Sequence, residues 1–352
     1  MLEFLKTTPS VWEYLKNCGE PVVLYGMGDG ADKVLAAFKR FGIEAAGVMA
    51  SDGFVRGQSF HGFTVKTRAQ LERELGVFTV ALCFATQLPD VMQTVKQVAA
   101  AHVTVVPSVP AFGSRLFDRA FAEEYADEIN AARRLLADGQ SRRVYDGVLR
   151  FYHTGRLELL DEITTDKSEA FGDILRLGDN ELYVDLGAYN GDTIDEFLKY
   201  SGGSYRRIIA LEPNAKNFGK LSAHCADMER VELWQLGAWN ENTALTFNNK
   251  AGRNSAISEK GVQTRVARVD TVLCGAAASY IKADVEGADA ETLLGMTETL
   301  KNHKPKLNFA AYHRFEDIFK MPLLIHRLNP DYKIYLRHHP YIPAWDTNLY
   351  CV

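Results

Sequence analysis

The sequence predicts an α/β protein built from two Rossmann-like units joined by a helical connector. Short apolar, strand-like runs alternate with helical patterns over residues 20–110 and again from residue 181 onward. That alternation is the signature of parallel sheets with crossover helices. Each unit also opens with a strand that runs through a glycine-bearing loop into a helix, at residues 21–41 and 181–198. Between the units, residues 116–177 are helical and charged in pattern. The division expected is therefore 1–115, 116–177 and 178–352.

Composition bounds the function. A chain of 352 residues has room for about two domains at roughly 100–200 residues each. Hydrophobic content of 47% and charged content of 24% fit an ordinary globular protein. The net charge of −5 gives no electrostatic case for nucleic acid or an anionic membrane surface. Cys18, Cys83, Cys225, Cys274 and Cys351 are scattered without a CxxC pair, so neither a disulfide framework nor a thiolate zinc site is expected. A reduced, cytoplasmic setting follows. No basic leader with a long apolar run and no stretch of about 18 apolar residues predicts membrane insertion.

In chain order, residues 4–17 predict an amphipathic helix with Phe4, Leu5, Val11, Trp12 and Leu15 available for packing. Strands are expected at residues 21–25, 44–49, 79–84 and 102–106, with helices over 31–41 and 88–101. Gly26-x-Gly28-x-x-Ala31 fits the relaxed dinucleotide fingerprint, with Gly30 closing the loop and Asp52 following the second strand. Two readings stand for this loop: a nucleotide or nucleotide-sugar site, or glycines that only permit tight turning. Pro107-Ser-Val-Pro110 ends the unit. The charged run over 121–136 reads as a solvated helix face, in a linker or in a lid over substrate.

The second unit predicts strands at 181–187, 207–212, 231–237, 279–284, 306–312 and 333–338, with residues 265–269 as an extra edge strand. Asn248 to Asn254 form a polar loop. Gly187 and Gly191 stand where a missing Cβ lets backbone approach a ligand. Asp192 or Thr193 is placed to cap the following helix, with Asp195 or Glu196 as reciprocal partner. Most strands carry a polar group at or just past their carboxyl ends: Asp185, Glu212, Asp284 with Glu286, His313, and His338 with His339. In an open parallel sheet that edge is the ligand crevice.

The motifs Val184-Asp-Leu-Gly-Ala-Tyr-Asn-Gly-Asp-Thr193 and Ala210-Leu-Glu-Pro-Asn214 resemble the first and second cofactor motifs of the FkbM-type S-adenosylmethionine-dependent O-methyltransferases. Arg268-Val-Asp-Thr-Val-Leu273 with Tyr280-Ile-Lys-Ala-Asp-Val-Glu-Gly-Ala-Asp289 resembles that family's most distinctive segment. Tyr312-His-Arg-Phe-Glu-Asp317 and Leu328-Asn-Pro-Asp-Tyr-Lys333 also fit, so the likeness runs over roughly residues 180–340. Tyr189 replaces the middle glycine of many class I methyltransferases, and Asp289 stands where the family commonly has Glu. Residues 47–65 resemble the amino-terminal domain of bacterial sugar-nucleotide acetyltransferases.

The resemblance implies a class I methyltransferase-like fold and methyl transfer from S-adenosylmethionine to a hydroxyl of a sugar, glycan precursor or related product. Asp185 would take the cofactor's ammonium and Glu212 its ribose hydroxyls. Gly187, Tyr189, Asn190, Gly191, Asp192 and Thr193 would line its amino-acid end, with Pro213, Gly237 and Ala238 toward the adenine and Trp239 either bordering it or in the core. An acceptor hydroxyl has a high pKa and needs a base or a metal as its proton leaves. Asp284, Glu286 and His313 are the candidates, with Lys282 on the same strand face as Asp284. Asp284, Glu286 and His313 could also hold a divalent cation. Two rivals remain: a nicotinamide-dependent oxidoreductase using Gly26 to Gly30, and a non-catalytic binding protein of glycan assembly.

Overall fold

The computed structural model describes residues 4–247 and 262–352, so the polar loop expected at 248–254 lies outside the described residues. The first unit is a six-stranded sheet of β1 (Val22–Tyr25), β2 (Ala45–Met49), β3 (Ser59–Phe60), β4 (Phe63–Lys66), β5 (Thr79–Leu82) and β6 (Thr104–Val105). Its order is β3-β4-β2-β1-β5-β6, parallel except for the β3–β4 hairpin, which turns at His61 and Gly62, both at positive φ. The expected amino-terminal helix is two short ones, Phe4–Thr7 and Val11–Asn17. Pro9 separates them, and Ser10 and Glu13 close a capping box on the second.

The second unit contains β7 (Leu182–Leu186), β8 (Arg207–Leu211), β9 (Val231–Trp234), β10 (Gly237–Ala238), β11 (Thr243–Phe247), β12 (Val262–Ala267), β13 (Tyr280–Ala283), β14 (Lys306–Ala310), β15 (Ile334–His338) and β16 (Thr347–Cys351). Seven of them form the sheet β15-β16-β14-β13-β7-β8-β9. The chain leaves β7 toward β8 and returns on its other side at β13, so the order reverses between β7 and β13. That is where open α/β sheets place ligands. The residues expected as an edge strand at 265–269 instead end β12 of a separate sheet, β10-β12-β11. The expected strand 231–237 is cut at Trp234, and Gly237 starts the short β10. β16 was not foreseen. It runs antiparallel between β14 and β15 and is buried throughout.

Strands on both sides of the reversal are enclosed because their runs are apolar: Val184, Ile209, Ile281 and Leu307 are almost wholly buried. Each such side chain contributes roughly 1.5–3 kcal/mol relative to exposure. The connector's charged run keeps Glu123, Glu124, Asp127 and Arg134 exposed, while its apolar face is packed. Helices Ala126–Leu135 and Gly139–Thr154 bury Ile129, Ala132, Val144, Tyr145, Val148 and Phe151 in a core cluster that also holds Val23, Val80, Val184 and Ile281. Arg337 at the end of β15 binds this layer, donating to Asp138 at 2.7 Å, Glu169 at 2.9 Å and Ser141 at 2.9 Å. His338 and His339, expected at the crevice, are fully buried. His338 Nδ1 meets Thr347 Oγ1 on β16, and His339 bridges the Thr165 carbonyl and Tyr350. Burial pushes His338 down to about 3 and lowers His339, so both are neutral core residues.

Candidate active site

The loop after β7 is fastened from both sides. Gly187 and Ala188 donate to the Leu211 carbonyl at the end of β8, each at 3.0 Å. Glu212 accepts from the Tyr189 amide at 3.0 Å and the Asn214 amide at 2.8 Å. Both loop glycines, expected to let a ligand approach, also have a packing reason to lack a side chain. Gly187 has φ +79, and a Cβ there would lie 2.1 Å from the Asp284 carbonyl oxygen. Gly191 has φ +99, and its Cβ would lie 2.5 Å from the His224 ring. Gly191 is itself the N-cap of helix Asp192–Tyr200, so Asp192 is the first helical residue and no side chain caps the helix. Thr193, expected as a cap, turns its hydroxyl to Asp185 Oδ2 at 2.5 Å.

Asp185 is fully buried, not open to a cofactor ammonium. Its carboxylate sits between the Thr193 hydroxyl and Lys282, whose Nζ lies 3.4 Å from Oδ1 and donates to the Gly187 carbonyl at 3.1 Å. Burial raises the Asp185 carboxyl against the pull of Lys282 and Thr193. Burial also works against the Lys282 ammonium, but Asp185, Asp284 and Asp192 outweigh it and raise its pKa. The ion pair ties β7 to β13, and the bond from Lys282 to the Gly187 carbonyl fastens the loop to β13, so Lys282 acts as an anchor. Burial likewise raises Glu212, opposed by the Asn214 and Tyr189 amides.

Around that loop stand the surfaces a nucleoside could meet. Tyr189 is 47% exposed at φ 47, with the Lys220 ammonium 5.8 Å from its ring centroid. Asn190 is half-buried and Asp192 exposed. Pro213 lies against Gly237, within 3.8 Å of where a Cβ would be. Ala238 is buried in the core and its carbonyl accepts from Thr292, so it does not reach the crevice. Trp239 is half-buried, and its carbonyl sits 1.9 Å from where a Gly295 Cβ would be, which fixes it by packing. Trp234, which the sequence reading missed, ends β9 with a 40% exposed indole whose N–H donates to Glu232. An aromatic ring at a strand's carboxyl end was the available signal.

On the opposite side of β7, Asp284 and His313 meet. His313 Nε2 lies 3.0 Å from Asp284 Oδ1 and 3.8 Å from Glu286, while Nδ1 lies 2.8 Å from Asp289. Burial works against the charged ring, but Asp289 and Asp284 outweigh it and raise His313 well above its ordinary value. Both ring nitrogens face carboxylates, which fixes the ring in one orientation beside Asp284. Asp284 is held low in turn: burial opposes its charge, but His313, Lys282 and the Tyr312 hydroxyl outweigh it. Its side chain is nonetheless 36% exposed, and that of Glu286 is 41%.

The cation set expected was Asp284, Glu286 and His313; among the described residues, the group whose ligand atoms fall within 4.8 Å of one another is Asp289, His313 and Asp317. Burial, with the charge of Asp289, raises Asp317 to about 7. Sequence reading passed over Asp317 and treated Asp289 only as a family departure.

In the first unit, Gly26 and Gly30 have packing explanations. Gly26 has φ +120, and a Cβ on Gly30 would lie 2.2 Å from the Cys83 carbonyl oxygen. Only Gly28 faces open space. The helix it caps begins with Asp29 and carries Asp32, acidic residues that disfavour a phosphate at that end.

This edge, with its reversal at β7 and its acids beside the glycine loop, defines a class I methyltransferase domain of Rossmann-like fold. Residues 185–342 match the model of the methyltransferase FkbM domain. The crystal structure of methyltransferase FkbM from Methylobacillus flagellatus KT shares the fold, with a TM-score of 0.72 at 21% identity over 94% of this chain and 90% of that one. An rRNA methylase from Streptococcus thermophilus reaches only 0.34 at 17% identity, over 53% of this chain and 92% of that one. Aeropyrum pernix fibrillarin, solved with natively bound S-adenosyl-L-methionine, reaches 0.33 at 11% identity over 50% of this chain and 67% of that one. Scores so low carry no argument. No curated protein matches the sequence. Among the described residues, no helix is long and apolar enough to cross a membrane.

Proposed function

We propose that the chain is an S-adenosylmethionine-dependent O-methyltransferase whose acceptor is a hydroxyl of a sugar or glycan precursor, with units at 1–115, 116–177 and 178–352. The observation that carries this reading is the pairing of two acidic groups across the loop after β7. Glu212 lies on the β8 side and Asp284 on the β13 side. The crevice suits a cofactor with ribose, ammonium and carboxylate groups. Glu212 has lone pairs left for ribose hydroxyls, and Tyr189 and Trp234 offer ring faces to adenine. Gly187, Tyr189, Asn190, Gly191, Asp192 and Thr193 form the loop that holds the amino-acid end, while Lys282, paired with Asp185, fixes that loop from beneath. When bound, S-adenosylmethionine supplies an electrophilic methyl on a sulfonium.

The acceptor side then has two tasks, orientation and removal of a proton. Asp284 accepts the acceptor's O–H hydrogen bond and so aims an oxygen lone pair along the line of displacement. Its low pKa does not disqualify it. An ether oxygen that still carries the proton is far more acidic than a carboxylic acid, so proton transfer to Asp284 is downhill once the new C–O bond forms. His313 and Tyr312 hold the Asp284 carboxylate in one orientation, and Asp289 holds His313.

The test uses S-adenosylmethionine carrying a ¹³C methyl, incubated with a panel of glycosides and sugar nucleotides. An O-methyl carbon resonance in product is expected, abolished in Asp284→Ala while S-adenosylhomocysteine affinity stays within about two-fold. Label on nitrogen or carbon contradicts the reading, as does full activity in Asp284→Ala.

A further inference from the structure

One aromatic ring, Tyr312, touches the acceptor-side carboxylate Asp284, and two more continue from it. Tyr312 follows β14, and its hydroxyl donates to Asp284 Oδ2 at 3.0 Å. The Trp345 ring lies 6.4 Å from that of Tyr312 with planes 24° apart, and Tyr341 lies 5.9 Å from Trp345 at 40°. All three are half-buried, unlike core rings such as Tyr183 and Tyr280, which are enclosed.

The turn carrying the wall is held by many partners. Asp346 sits at φ 54, pairs with Lys167 at 3.4 Å and accepts from Asn348 at 2.6 Å. A non-glycine residue kept left-handed by its surroundings is strain of the kind that gathers at ligand sites. The first unit grips the same turn: Thr86 and Ile342 exchange backbone hydrogen bonds of 2.7 and 2.9 Å. Its trailing segment then reaches the carboxylates, where Phe112 donates its amide to the His313 carbonyl at 3.1 Å and sets its ring edge-on to the imidazole at 5.7 Å.

The cations of this edge are already engaged. Lys282 is committed to Asp185 and Gly187, His313 to Asp284 and Asp289, and Arg314 donates to the Gly287 carbonyl at 2.5 Å. Asp284 and Glu286 remain partly exposed. A ligand here meets aromatic faces and carboxylates.

We propose that Tyr312, Tyr341 and Trp345 form a platform for the C–H face of an uncharged sugar ring, whose hydroxyls are received by Asp284 and Glu286. The proposal rests on the methyl-transfer reading above and narrows its acceptor to neutral rings. A pyranose presents a face lined by C–H groups that loses water favourably against an aromatic plane, while the hydroxyls at its rim still need acceptors. Aromatic planes edged by carboxylates meet both needs. A uronate brings a negative charge toward Asp284 and Glu286 and is selected against.

Saturation-transfer NMR tests this on the full chain with S-adenosylhomocysteine present. The probes are methyl glycosides of glucose, mannose, galactose and fucose, with methyl glucuronide as the charged comparison. Transfer to ring protons of at least one neutral glycoside is expected in the unaltered protein. It should be roughly five- to ten-fold weaker in Trp345→Ala and in Tyr341→Ala, restored in Trp345→Phe, and weaker for the glucuronide. If Trp345→Ala does not fold, Tyr341→Ala compared with Tyr341→Phe decides. Undiminished transfer in folded alanine variants overturns the platform. So does a glucuronide bound as well as glucoside, or no transfer to any neutral glycoside. Calorimetry on the same samples reads S-adenosylhomocysteine separately, and its failure to bind overturns the methyl-transfer reading instead.

Discussion

Both glycine loops join a buried parallel strand to a helix, yet their surroundings are unlike. At residues 26–30 the neighbouring strand ends offer the Tyr25 and Ser51 hydroxyls, 2.6 Å apart, and the Cys83 carbonyl packed on Gly30. At 187–191 the neighbours are Asp185, Glu212, Lys282 and Asp284, linked through ion pairs and backbone amides. In each, one glycine, Gly30 or Gly187, is needed where backbone crosses backbone. Chemistry is distinguished by the polar groups buried beside the turn, since burying charge is costly unless it is paired.

The largest contrast should come from the acids beneath each loop. Asp185→Ala leaves Lys282 buried without its partner and should cost about 3–5 kcal/mol in denaturant unfolding. Asp29→Ala, which removes an exposed pair with Lys33, should change stability by less than about 0.5 kcal/mol. Equal effects would erase the distinction drawn here. Next come the glycines. Gly187→Ala, with its positive φ and its clash with Asp284, should reduce both stability and S-adenosylhomocysteine affinity. Gly28→Ala, in open space, should leave both unchanged. Calorimetry and thermal melts check the pair, and a harmful Gly28→Ala would reopen the first loop as a ligand site.

A smaller effect probes the acceptor side through pH. The folded-state pKa of Asp317 is raised to about 7, so its contribution to stability is fully present below about pH 4. It is lost as pH rises through 7, where the native state must give up a buried proton. Asp317→Asn should therefore raise the melting temperature relative to the unaltered protein more at pH 8 than at pH 5. A difference independent of pH would contradict that assignment.

Much of this frame was legible because it is local. The runs at β7, β8, β13 and β14 are apolar and bounded by turn residues; the first three deliver an acid, and β14 delivers His313, to the same edge. What the sequence concealed is long-range. β16 pairs with strands that precede it in the chain, and its run Thr347–Cys351 mixes polar and apolar residues, so nothing local separates it from a tail. His338 and His339 obeyed the edge rule yet are sealed by β16 and by the connector's Thr165. The packing reason for the loop glycines stayed hidden because the atoms they avoid, on Asp284 and His224, are distant in sequence. Phe112 reaches His313 only through the contact between the two units.

The most direct measurement is a calorimetric titration of S-adenosylhomocysteine, S-adenosylmethionine and NADH into the unaltered protein and into Glu212→Ala. Saturable binding of the first two and not of NADH, weakened by roughly ten- to a hundred-fold in Glu212→Ala, is the predicted result. NADH binding that is indifferent to Glu212, with no response to either sulfur compound, would contradict the account and return attention to the loop at Gly26.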